Sequence, residues 1–103
     1  MNPDDQLKQL LRYSQKMLAA AKRDGWNEVA DLEQARRELM AIFFDGKNSQ
    51  AVPVEALRQA LIELKQNEAE MVALAMRAKD QLAEDIQQLG TSRKAVNAYE
   101  NNA

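Results

Sequence analysis

Between Pro53 and Gly90 the chain carries neither glycine nor proline, and Ala, Leu, Glu and Gln dominate the stretch. All four are strong helix formers. The span therefore reads as one unbroken helix, and a helix so long needs neighbours, because propensity alone stabilises little. Val54, Leu57, Leu61, Leu64, Glu68, Met71, Ala75, Ala78, Leu82 and Leu89 recur at steps of three, four or seven. A second line runs beside them through Ile62, Ala69, Val72, Met76, Ala83 and Ile86. Together the two cover roughly 200° of the helix surface. Such a face predicts two neighbouring helices, or one neighbour and a partner.

Two shorter helices precede this one. Asn2 is placed to cap the first, with Pro3 at its first position and Asp4 and Asp5 in its first turn. Leu7, Leu11, Ser14, Leu18 and Ala21 form its stripe, and Gly25 is its natural stop. The second helix starts near Trp26, which reads as a staple for the turn. Its stripe is Val29, Leu32, Arg36, Leu39 or Met40, and Phe43, with Arg36 the polar intruder; Asp45-Gly46 ends it. Lys47 to Val52 is a polar linker. Thr91-Ser92 after Gly90 suits the cap of a short fourth helix, Arg93 to Tyr99, with the last residues fraying.

The expected fold is all-α: one domain over residues 1–103, an antiparallel bundle of two shorter helices (about 3–24 and 26–44) and one long helix (53–89). A short C-terminal helix or tail (91–103) completes it. The long helix would measure about 55 Å and the others about 30 Å. Two short helices cannot cover a long one end to end, so part of its apolar face awaits a fourth helix, a second subunit or a client.

The chain has no Cys and no His. This excludes disulfides, thiolate zinc sites, cysteine nucleophiles and the commonest metal ligand and proton shuttle. Glu63, Glu68, Glu70, Asp80, Glu84 and Asp85 read as a solvated helix face, since a di-iron bundle would need Glu-x-x-His pairs. Ser14, Ser49 and Ser92 have no base at a suggestive spacing, and no glycine-rich loop could cradle phosphate. No enzyme, metal or cofactor is therefore expected. A net charge of −2 with both signs mixed argues against nucleic acid as partner. No apolar run approaches the roughly 20 residues of a membrane span, and the acidic N-terminus is no secretory signal. Met17, Met40, Met71 and Met76 lie on or beside apolar stripes, where Met fills cores and also adapts to varied partners. Phe43 and Phe44 are adjacent, so they point about 100° apart; one can enter the core while the other sits at its edge or docks a partner.

A helix ending in Gly25, then Trp26, the run EVADLE and the stretch ARRELMAIFF resembles the helical hairpin of flagellar export chaperones of the FliT type. The tail LGTSRKAVNAY, Leu89 to Tyr99, is similar to the segment closing their long helix. The resemblance spans nearly the whole chain. It implies a cytoplasmic protein that binds the C-terminal segment of the filament-cap protein, prevents its early assembly and delivers it to the export apparatus. It also implies that some members touch the export ATPase or a flagellar transcription regulator. In the family the client lies against the second and third helices. A C-terminal helix can occupy the same surface, a role that only Thr91 to Tyr99 could supply here.

The expected partner groove is built from Leu39, Phe43 and Phe44 of the second helix and Leu57, Leu61, Leu64, Met71 and Met76 of the third. The rival reading is a structural bundle that self-associates through the overhang of the long helix. The expected state is a monomer or weak homodimer, with Leu82, Ile86 and Leu89 in any self-contact.

Overall fold

A computed structural model describes residues 2–102 as three helices in up-down-up order, α1 (Pro3–Lys22), α2 (Trp26–Phe44) and α3 (Val54–Asn102). A single 3-10 turn, Ser49–Ala51, lies in the α2–α3 linker. Among the described residues there is no strand. No described helix is long and apolar enough to cross a membrane.

Local chemistry fixes the ends of α1. The Asp5 amide donates to Asn2 Oδ1 at 2.8 Å, Pro3 fills the first turn, and Asp4 and Asp5 face the positive end of the helix dipole. Asn2→Ala is expected to cost about 1 kcal/mol, read from the shift of the thermal or denaturant midpoint. At the other end Asp24, rather than Gly25, takes the left-handed conformation (φ 60°). Its amide bonds Ala21 O and the Gly25 amide bonds Ala20 O at 2.8 Å, which is a Schellman closure. Space is tight at Gly25: a Cβ there would stand 3.3 Å from the Ala20 carbonyl oxygen. Trp26 then opens α2 only partly buried and, like Leu18, Leu32 and Leu74, packs against the core cluster of Met17, Ala20, Ala21, Val29 and Met71.

The helix with two neighbours is α1. It packs against both α2 and α3, and most of its inward surface is buried: Leu7, Leu10, Ser14, Met17, Ala20 and Ala21. The buried line therefore includes Leu10, Met17 and Ala20 beside the expected stripe, and leaves Leu11 and Leu18 half-buried. Small residues at Ser14, Ala20 and Ala21 let neighbouring helices approach closely from two sides. Consecutive helices run antiparallel, so α1 and α3 run parallel: Leu7 and Leu10 share a core with Ala60, Ser14 meets Asn67, and Met17 packs near Met71.

The core has two parts. Near the α2–α3 linker, Leu7, Leu10, Phe43, Val52 and Ala60 cluster, flanked by Leu11, Leu39, Met40 and Leu57. Near the α1–α2 turn, Met17, Ala20, Ala21, Val29 and Met71 form the second cluster. Between them Asn67 Nδ2 donates to the buried Ser14 Oγ at 3.1 Å.

The long helix does not stop at Gly90. It continues to Asn102, about 73 Å in all, which accounts for the 75 Å long axis of the molecule. One helical glycine costs only about 1 kcal/mol, and no proline follows. Thr91, expected to cap a new helix, instead donates its hydroxyl to the Gln87 carbonyl at 3.0 Å, a bond made within a continuing helix. No separate fourth helix forms, and the expected short C-terminal helix or tail is the end of α3 itself. The side chain of Tyr99 and the terminal Ala103 lie outside the described residues.

Candidate functional site

The cover over α3 ends near Leu74. From Lys79 to Thr91 every residue is exposed. Met76, Leu82, Ile86, Leu89 and Val96 each expose more than half their surface. The hairpin is some 30 Å long, so about 40 Å of α3 projects beyond it. This is more overhang than a helix ending at Leu89 would leave.

Within the body, α2 and α3 touch α1 far more than each other. The gap between them is a groove of about 240 Å³. Leu10 of α1 lines it, with Met40 and Arg36 from α2 and Leu61, Leu64, Lys65 and Glu68 from α3. Four apolar side chains thus meet three charged ones. At one end Arg36 Nη1 reaches Glu68 Oε2 at 3.3 Å, tying α2 to α3. The Arg36 side chain is only 14% exposed, so its stem covers apolar surface while its head pairs. A second depression, between α1 and α3, mixes Leu7, Leu11 and Ile62 with polar chains such as Asp4, Lys8, Gln59 and Glu63. Apolar concavity bounded by a few charges is the chemistry of a site for an amphipathic segment.

The expected groove residues divide into four groups. Leu61 and Leu64 line the groove, with Leu61 39% exposed. Leu39 and Leu57 are half-buried against the first core cluster, and Phe44 stands at the molecule's edge, meeting Phe43 edge-to-face with ring centroids 4.9 Å apart. Phe43 and Met71 are core residues: Phe43 has no exposed surface and Met71 very little. Their burial follows from helix geometry: both lie toward α1, Phe43 with Leu7 and Leu10 and Met71 with Met17, Ala20 and Ala21. Met76 is exposed, but it lies on the overhang rather than in the groove.

Five groove residues are not in the expected set: Leu10, Arg36, Met40, Lys65 and Glu68. Arg36 carried a signal, because a charge interrupting an apolar stripe marks where that stripe meets solvent or a counter-charge. The remaining ion pairs among the described residues, Lys22–Glu70, Arg23–Glu28, Arg37–Glu33 and Arg58–Glu55, are exposed, a class worth little each.

Set against protein-family models, residues 4–101 match the family described as flagellar protein FliT. No curated protein and no solved structure matches the chain.

Proposed function

Because the chain belongs to the flagellar protein FliT family, we propose that it is a cytoplasmic export chaperone for the filament-cap protein. It holds the client's C-terminal segment, keeps it from assembling early and delivers it to the export apparatus. The export ATPase and a flagellar transcription regulator are further partners on this reading. The protein acts by binding and catalyses no reaction.

The observation that carries the reading is the open apolar groove between α2 and α3, with Leu10, Met40, Leu61 and Leu64 in its lining. An amphipathic client segment would lay its apolar face there and set its polar face toward Arg36, Lys65 and Glu68. The segment orders as it binds, which keeps the complex releasable at the export gate.

Calorimetric titration of the purified protein with a peptide of the client's C-terminal segment is the test. Binding is expected, and Leu61→Ala or Met40→Ala should each weaken it by about 1–3 kcal/mol. Lys65→Glu should matter less, and mainly at low salt. Circular dichroism of each variant must match the parent. No binding by the parent would overturn the reading. So would binding that ignores the groove variants and vanishes on rim charge reversal.

A further inference from the structure

The outward side of α1 carries one sign of charge. All 16 carboxylate side chains of the chain lie outside residues 6–23, whereas Lys8, Arg12, Lys16, Lys22 and Arg23 lie within that stretch. Lys8, Arg12, Lys16 and Arg23 fall within about 80° of one another around the helix, on the side opposite the buried line of Leu7, Leu10, Ser14 and Met17. All four are exposed. Lys8, Arg12 and Lys16 stand one turn apart, about 6 Å along the axis. Like charges at that spacing repel, so the row works against the helix that bears it. Among the described residues these three enter no ion pair, while Lys22, Arg23, Arg36, Arg37 and Arg58 each have one.

The surroundings of the row show what fits it. Among the described residues of α1, Ala19 is the only exposed apolar one, the others being buried or half-buried. The face therefore has nothing to anchor in a bilayer. Carboxylates frame the row. Asp5 precedes it, Asp24 follows it, and Glu28 stands beside Arg23. Along the α3 flank Glu63 accepts from Gln15 and Glu70 pairs with Lys22. A broad anionic surface, whether a bilayer or a nucleic-acid duplex, would press on that frame. A single helix, about 10 Å wide, lies inside it. Carboxylates at every fourth position of such a helix recur at the same step of about 6 Å as the row.

We propose that the outward face of α1 docks an acidic helix of a partner protein, which sets carboxylates at i, i+4 and i+8 against Lys8, Arg12 and Lys16. The partner brings the counter-charges that the row lacks within the chain. It lies on the side of α1 turned away from Leu10 and the α2–α3 groove, so the groove stays open while α1 is engaged.

Fluorescence anisotropy of the full chain with two labelled helical peptides tests this. One peptide carries Glu at i, i+4 and i+8 on a single face. The other has the same composition with those Glu residues spread around the helix. The first is expected to bind about tenfold more tightly, with an affinity that falls as salt rises. Lys8→Gln with Arg12→Gln and Lys16→Gln should abolish that preference. Removing as many charges elsewhere, by Lys47→Gln with Arg77→Gln and Lys79→Gln, should leave it unchanged. All six side chains are exposed, so both variants should keep the parent's helix content, read by circular dichroism. Equal affinity of the parent for the two peptides overturns the proposal. So does a preference that survives loss of the row, or one lost equally in the control variant. If neither peptide binds, while phosphatidylserine vesicles or a DNA duplex bind the parent and not the row variant, the row serves a lipid surface or nucleic acid and the proposal falls.

Discussion

Phe43→Ala is expected to lower the folding free energy by about 3–5 kcal/mol, the largest effect of any single truncation in this chain. Phe43 has no exposed surface and is the largest fully buried side chain. It sits where the end of α2, the start of α1 and the first residues around α3 meet, with Leu7, Leu10, Val52 and Ala60 around it. Removing the ring takes away its transfer energy and also the edge-to-face contact with Phe44. The void is walled by three segments and cannot collapse without moving a helix. Marginally stable proteins hold only about 5–15 kcal/mol, so the variant should lose much of its unfolding free energy. Phe44→Ala, by contrast, removes a ring that is 42% exposed and should cost much less. Urea unfolding of the pair measures this. Equal losses would mean that the two rings are not divided between core and edge as described.

Leu10→Ala should cost about 2–5 kcal/mol, with an additional signature in binding. Leu10 is fully buried in the same cluster as Phe43, yet it also lines the groove. Its removal therefore extends the groove toward the core. Because it shares a cluster with Phe43, the double variant should be less destabilised than the summed single costs, by about 0.5–3 kcal/mol. A client peptide that enters the groove should bind this variant with altered affinity even where the variant is fully folded. Denaturant unfolding and titration of the same samples separate the two effects. Strict additivity with Phe43→Ala would show that the residues do not share one packing unit.

Much of this molecule is legible in the sequence. The first two helices and the start of the third follow from composition, from the spacing of apolar residues and from the breaks at Gly25 and Asp45-Gly46. The capping of α1 by Asn2 follows from side-chain chemistry. The division of Phe43 from Phe44 follows from the 100° step between adjacent helical residues. What the sequence leaves open is which neighbour each stripe meets. The wide apolar face of α3 suggests a helix between two others, but that place belongs to α1, whose small residues permit close approach on both sides. This is why Leu10 and Met17 are buried ahead of Leu11 and Leu18. It is also why Phe43 and Met71, expected to meet a partner, are sealed in the core. Gly90 misleads for a different reason. Its helix penalty is small beside the cooperativity of a long helix, and nothing after it stops the chain.

The Ser14–Asn67 bond also works as a detent. Two greasy helices lying parallel could slide past each other in steps of one turn, about 5.4 Å, with little change in the area they bury. Here such a step would set Ser14 level with Glu63 or Met71 and strand Asn67 among the Leu and Met side chains on either side. Leaving a buried polar group without its partner costs about 1–3 kcal/mol, enough to disfavour the slipped state by about fivefold to a hundredfold. One hydroxyl and one amide thus decide how far α3 protrudes. They also hold Leu61 and Leu64 at the height of Met40, where the three can line one groove.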